Sequence, residues 1–183
     1  MVITSPAQAL AWLNNASEDP AYREAAVRYL KDNLVPGAIA RLVQALQDDE
    51  LGVRWEAALA LSQLGELAVP EVLIALVDPK RVGDPRLRAG AYHVLRDSHL
   101  TLPAGTAALL EALKGPAADI ATMIEANRLL IQIEKQRARQ GREFGRPGST
   151  KTHPPMPSSA PEMRYGLAQL TGRLRRLRKY RSI

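Results

Sequence analysis

Apolar residues recur at helical spacing through the first three quarters of the chain. Between residues 38 and 47 they take the i, i+3, i+4, i+7 positions of one helix face, namely Ile39, Leu42, Val43 and Leu46. A second stripe runs from Val53 to Leu64, and Gly65 follows it where a helix C-cap is expected. The pattern therefore predicts two amphipathic helices joined by a short turn.

This helical pair recurs with a period of 33 to 34 residues. Three first helices open on an apolar residue and a proline, at residues 35, 69 and 102, and the proline is expected in the first helical turn. The second helices align on an alanine and on a larger side chain four positions later: Ala25 with Tyr29, Ala57 with Leu61, Ala91 with Leu95, and Ala126 with Leu130. The degenerate first pair spans residues 5 to 30, and the fourth ends in a long helix from about Ala117 to Gln140. Because no pair can bury its own stripes, the pairs must stack, which predicts an all-α solenoid of about four helical hairpins.

Part of this pattern resembles a known family. The segment VRWEAALALSQLG preceded by DDE, together with VPGAIARLVQALQD, is similar to HEAT-like repeats of the phycocyanobilin-lyase type. The resemblance is specific over residues 35 to 65 and extends to residues 1 to 135 at most. It implies a superhelical scaffold that binds other proteins, with branches that attach bilins or repair DNA bases. A fold and a mode of recognition follow from it, but no reaction does.

Charge divides the chain into two regions. Residues 1–135 carry 13 Lys and Arg against 17 Asp and Glu, whereas residues 136–183 carry 12 against 2. Residues 141–161 are rich in Gly, Pro and Ser, which is typical of a linker. The predicted organisation is a repeat domain over residues 1–140, a linker over 141–161 and a basic amphipathic helix over 162–183.

The predicted last helix combines an apolar seam with a basic cluster. Ser159 and Glu162 have capping-box spacing at its start. The seam consists of Met163, Leu167, Leu170, Leu174 and Leu177. The cluster occupies six of nine positions: Arg173, Arg175, Arg176, Arg178, Lys179 and Arg181. Three alternatives remain open: the helix docks on the repeats, lies in a groove of a partner protein, or binds phosphates of nucleic acid or of an anionic membrane surface.

Three residues of the repeats are candidate partner-binding residues. Arg54 and Arg88 lie three positions before their aligned alanines and could form a ladder for an anionic ligand. The structural alternative is that aspartates cap the helices and each arginine pairs with the next repeat. In this alignment Tyr22 and Met123 occupy the outer positions, which leaves the ladder two arginines. Trp55 could stack on a base or a peptide side chain, or pack between repeats.

Other chemistry finds little support in the residues. The chain has no cysteine, and His93 and His99 are six positions apart, which is not the spacing of a helical metal pair. No glycine-rich phosphate loop, signal peptide or membrane-length apolar run is present, so no cofactor and a cytoplasmic location are expected. The leading hypothesis is a non-catalytic adaptor subunit that binds protein partners. The alternatives are a nucleic-acid-binding module and an enzyme of the bilin-lyase or DNA-repair kind.

Overall fold

A computed structural model describes residues 2–97, 105–115 and 118–144, and every regular element within those ranges is helical. The helices are α1 Pro6–Asn14, α2 Pro20–Asp32, α3 Ala38–Ala45, α4 Leu51–Leu64, α5 Val69–Val77, α6 Pro85–Asp97, α7 Thr106–Lys114 and α8 Ala118–Phe144. A single 3₁₀ turn, Gly65–Leu67, follows α4. The predicted all-α fold is confirmed in these residues. They belong to one compact unit that ends at Phe144, four residues beyond the predicted end of the repeat domain.

Consecutive helices form four hairpins, which we number repeats 1 to 4. Within the first three repeats the hairpins stack in two layers: α1, α3 and α5 pack in one, and α2, α4 and α6 pack in the other. Each layer covers the apolar stripes of the other, as stacking of incomplete hairpins requires. The result is the predicted α-solenoid.

Repeat 4 exchanges the two layers. Its second helix, α8, packs against α5, and its first helix, α7, packs against α6. If repeat 4 followed the pattern of the first three repeats, α7 would pack in the layer of α5 and α8 in the layer of α6. At about 1.5 Å of rise per residue, α8 with 27 residues is also about three times as long as α5 or α7 with nine. The exposed side chains of residues 134–139 lie on its C-terminal half.

The core is built from small and branched side chains at the predicted places, with one shift in register. Ala57, Ala91 and Ala126 are fully buried, and Leu61, Leu95 and Leu130 lie beside them in the same core. In repeat 1, however, the buried pair is Ala26 and Leu30, whereas Ala25 and Tyr29 are only half-buried. The alignment of Ala25 with Tyr29 was therefore wrong by one residue. Ala26 lies six positions after the start of α2, as Ala57 does in α4 and Ala91 in α6.

Helix ends explain where the proline prediction holds and where it does not. Pro70 lies in the first turn of α5, as expected, and Pro6, Pro20 and Pro85 begin their own helices. Pro36 instead precedes α3, which begins after Gly37 at φ 86°, a left-handed conformation that favours glycine. Pro103 lies outside the described residues. Gly65, at φ 54°, forms the predicted C-cap of α4.

Within the described ranges, no single helix has both the length and the apolar character to cross a membrane. Only α4 with its 3₁₀ turn and α5, taken together, reach that length and composition, and they are bent by 110°.

Candidate functional site

Helix α4 is apolar on two opposite faces. Its inner face places Val53, Ala57 and Leu61 in the core without solvent exposure. On its outer face Leu51, Trp55 and Leu59, at i, i+4 and i+8, are 69%, 58% and 44% exposed. We call these three residues the apolar ridge. Single exposed apolar side chains are ordinary on protein surfaces, but a row of three on one helix face is typical of a contact surface.

A group of aromatic and basic side chains borders the ridge on the side of α6. The Trp55 ring meets the His93 ring edge-on at 5.7 Å between centroids, and His93 meets Tyr92 in the same way at 5.8 Å. Two cations lie over the Tyr92 ring, Arg96 at 5.4 Å and Lys114 of α7 at 5.1 Å. These contacts hold Trp55 on one side and leave more than half of its surface exposed.

Acidic side chains border the ridge on the side of α2. The Glu24 carboxylate lies directly beside Gly52 of α4, and Arg28 Nη1 is 2.7 Å from Glu56 Oε1. Glu50 is exposed immediately before Leu51. Glu24 and Glu56 outnumber Arg28, which contacts both, so this border has a net negative charge.

The two predicted arginines are both bonded within the chain. Arg54 Nη1 donates to the carbonyl oxygens of Asp48 and Asp49, each at 2.7 Å, in the turn that leads into its own helix. Arg88 pairs with Asp119 at the start of α8, in the next repeat. Arg88 thus pairs with the next repeat, as the structural alternative to ligand binding expects. Arg54 instead bonds to backbone carbonyls and not to a carboxylate of the next repeat. A ligand-binding role for either residue stays a prediction.

A third arginine, missed in the sequence, completes the ladder. Arg23 lies three positions before Ala26, so it is equivalent to Arg54 and Arg88, and its side chain is only 4% exposed. Its Nε and Nη2 donate to the two carboxylate oxygens of Asp48 at 3.1 and 2.9 Å, while Nη1 donates to the carbonyls of Ala16 and Glu18. The expectation of a two-arginine ladder was wrong. Aligning the helices on Pro20 and Pro85 would have found Arg23.

The junction between repeats 2 and 3 is joined by an amide. Gln47 Nε2 donates to Asp84 Oδ2 at 2.7 Å, and its oxygen accepts from Arg81 Nε and Nη2 at 2.9 and 2.7 Å. Burial opposes ionisation of Asp84. The hydrogen bonds from Gln47 and from the backbone N–H groups of Arg86 and Leu87, with the charge of Arg86, outweigh burial and hold the Asp84 pKa below its ordinary value.

The remaining predicted site residues lie outside the described part of the chain. They are Leu167, Leu170, Leu174 and Leu177 of the apolar seam and Arg173, Arg175, Arg176, Arg178 and Lys179 of the basic cluster. Within the described ranges, no group of three or more His, Asp or Glu side chains is placed to hold a metal ion.

The described helices form stacked hairpins, and this architecture is that of an α-solenoid. In repeats 1 and 2, an arginine of the second helix also donates to backbone carbonyls of the turn that precedes it. Residues 7–83 match the family model for HEAT repeats, so this part of the chain consists of HEAT-like repeats. The match does not distinguish the phycocyanobilin-lyase type, which stays a prediction. Neither the curated proteins nor the solved structures gave a match to the chain.

Proposed function

We propose that this protein is a non-catalytic adaptor that binds partner proteins through its repeats and through its basic C-terminal segment, within a larger complex. HEAT repeats generally serve as protein-interaction scaffolds, which supports the first of these contacts. In the repeats we assign the contact to Trp55. Arg54 and Arg88 belong to the proposal as neighbouring cations, but a ligand would have to compete with their present acceptors.

The observation that carries the proposal is the apolar ridge. A helix that only closes a solenoid needs one apolar face, and α4 already has that face in the core. On the opposite face, three large apolar side chains keep 44% to 69% of their surface in contact with water, which is unfavourable unless a partner covers them. Exposed tryptophan and leucine at helical spacing are well suited to bury against another protein.

The C-terminal segment is the second proposed contact. Its seam, from Leu167 to Leu177, would lie in an apolar groove of a partner, with Arg173, Arg175, Arg176, Arg178 and Lys179 facing acidic residues. Two contacts on one chain raise the overall affinity through effective concentration.

Affinity purification from a lysate of the source organism tests the adaptor function. The full-length protein, Trp55→Ala and the double variant Leu170→Asp with Leu174→Asp are compared by quantitative mass spectrometry. Leu67→Ala is the control, because Leu67 is 54% exposed but lies outside the ridge. We expect a defined set of proteins to be retained by the wild type and the control and depleted by each variant. Equal recovery with all four proteins contradicts the proposal.

The basic cluster is the observation that favours the rival function, binding of nucleic acid through the tail. Six phosphate contacts would lose about a thousandfold in affinity between about 50 and 200 mM salt. Titrating partner and single-stranded oligonucleotide at both salt concentrations separates the two functions. If the protein is an adaptor, Leu170→Asp should strongly reduce its affinity for the partner, and salt should reduce that affinity only weakly. If it binds nucleic acid, Arg175→Ala and Arg176→Ala should reduce its affinity for the oligonucleotide, and salt should reduce that affinity strongly.

A further inference from the structure

The apolar ridge is the strongest unassigned surface in the described part of the chain. Its three side chains follow one another along one face of α4, because residues four apart in a helix lie nearly one above the other, with a rotation of about 40° per step. Leu51, at the helix start, is the most exposed, and Leu59 the least. A linear apolar row on a helix matches the apolar stripe of another helix better than an extended peptide, whose side chains alternate in direction.

The two borders of the ridge differ in charge. On the α2 side, Glu24 and Glu56 outnumber Arg28, which contacts both carboxylates. On the α6 side, each exposed cation has a carboxylate beside it: Arg86 lies 2.6 Å from Asp49, and Arg96 lies 2.6 Å from Asp97. The Arg96 guanidinium holds the Asp97 pKa below its ordinary value, so this pair is ionised at neutral pH. The exposed ion pairs of the α6 side are therefore balanced, and the half-buried Arg54 is bonded to backbone carbonyls, whereas the carboxylates of the α2 side outnumber its cation.

We infer that the apolar ridge binds an amphipathic helix of a partner protein that carries Lys or Arg along one edge of its apolar stripe. The apolar stripe covers Leu51, Trp55 and Leu59, and the basic edge faces Glu24 and Glu56. The negative border disfavours nucleic acid on this surface, since phosphates would face carboxylates that outnumber the neighbouring cation. The inference rests on the proposed adaptor function and names the kind of partner that the repeats take.

The direct test uses a designed helical peptide and the full-length protein. The probe is a 15-residue Leu/Lys peptide with Leu at i, i+4, i+7 and i+11 and Lys along one edge. Two matched peptides replace Lys by Glu or Leu by Ser. Trp55 reports binding through its fluorescence in a Trp12→Phe background, since Trp12 stacks on Tyr22 at 5.3 Å and is the second tryptophan of the chain. We expect the Leu/Lys peptide to bind at least about tenfold more tightly than either matched peptide.

Matched substitutions locate the binding. Leu51→Ser and Leu59→Ser should each weaken the Leu/Lys peptide by at least about tenfold. Ile120→Ser and Leu67→Ser remove apolar side chains outside the ridge whose exposed fractions, 73% and 54%, are comparable to those of Leu51 and Leu59. These two variants should leave the affinity unchanged. Equal weakening by all four variants, or by none, overturns the inference, as does equal binding of the Glu peptide. Unfolding midpoints of every variant show whether a loss of binding reflects loss of the fold.

The remaining outcomes show whether the ridge is covered by this chain itself, by a second copy or by a partner protein. If Leu170→Asp, without any other change, makes Trp55 accessible to fluorescence quenchers, the C-terminal segment of the same chain covers the ridge. If Leu51→Ser dissociates a dimer in a sedimentation experiment, a second copy of the chain covers it. Either result overturns the inference. Partner proteins retained by Leu51→Ser and Leu59→Ser in the purification overturn the ridge assignment and leave the adaptor function standing. Purification without any specific protein overturns the adaptor function instead.

Discussion

The junction between repeats 1 and 2 and the junction between repeats 2 and 3 hold the same architecture together with different chemistry. At the first, Arg23 and Asp48 form a bidentate ion pair whose side chains are 4% and 12% exposed. At the second, the uncharged Gln47 joins Asp84 to Arg81, and the exposed pair Arg86–Asp49 lies nearby. In these two junctions the apolar contacts recur, whereas the polar groups that join the repeats differ.

One substitution explains the difference. Arg54 is the equivalent of Arg23, but 34 residues beyond Asp48 the chain carries Val82, which is buried. Arg54 consequently has no carboxylate in the next repeat and bonds to the carbonyls of its own turn. Arg23 also donates to two carbonyls of the turn before its helix, and it adds the ion pair. Bracing the turn is thus the shared role of both arginines, and pairing across the junction is an addition.

The largest expected effect is at the first junction. Arg23→Met should lower the free energy of unfolding by about 3 to 5 kcal/mol, because it leaves the mostly buried Asp48 carboxylate without its cation. Urea unfolding of the full-length protein measures this. Adding Asp48→Leu removes the stranded charge, so the double variant should recover part of the loss. A double variant as unstable as the sum of its single changes would mean that the ion pair is not what Arg23 contributes.

A smaller loss is expected at the second junction. Gln47→Met should cost about 1 to 2 kcal/mol, because Asp84 and Arg81 are only half-buried and water can replace the lost hydrogen bonds. The same urea titration compares it with Arg23→Met. Equal losses at the two sites would remove the distinction between a buried charged junction and a hydrated amide junction.

Two glycines distinguish the junctions by their packing. In Gly90→Ala the new Cβ would lie 2.8 Å from Leu46 Cδ2 and 3.2 Å from its Cβ, and Leu46 is fully buried. We expect a net loss of about 1 kcal/mol despite the better helix propensity of alanine. In Gly52→Ala the new Cβ meets only the end of the Glu24 side chain, which can swing away, so a gain of about 0.5 kcal/mol is expected. Thermal unfolding midpoints should shift in opposite directions.

The smallest effect depends on pH. Because the pKa of Asp84 is lowered in the folded protein, its contribution is present above the ordinary value of 3.8 and is lost as pH falls through the lowered pKa. Asp84→Asn should therefore cost less than about 1 kcal/mol near neutral pH, and its difference from wild type should shrink below about pH 4. Urea midpoints at a series of pH values check this. A difference that stays constant into acid would exclude ionised Asp84 as its source.

The sequence predicted the elements that depend on local pattern. Ala57 with Leu61 and Ala91 with Leu95 were placed in the core because their helices carry clear stripes and caps. The register of repeat 1 failed because Ala25 and Ala26 are adjacent, so the pattern fits either, and burial alone separates them. That shift of one residue also hid Arg23. The exchange of layers in repeat 4 was not predictable, since an apolar stripe indicates burial but not which helix provides it.

The candidate site was predicted in part for a related reason. Trp55 was predicted as a candidate partner-binding residue, and it is the centre of the apolar ridge. Leu51 and Leu59 were not chosen, because an apolar residue in an apolar helix indicates core by default. The acidic border depends on Glu24, which comes from another helix and reaches α4 only in the folded chain. Contacts of this kind carry no local signal in the sequence.

The exchanged layers of repeat 4 bear on how such an array can grow by gene duplication. If the segment that ends in α8 were copied, the long second helix would lie in the layer of α1, α3 and α5, which the regular repeats build from short first helices. The first helix of that copy would lie in the layer that the regular second helices form. Copying residues 35–68 would instead insert a unit whose two ends already match each other. Repeat 4 thus does not match the regular units, and new units are expected to enter upstream of it.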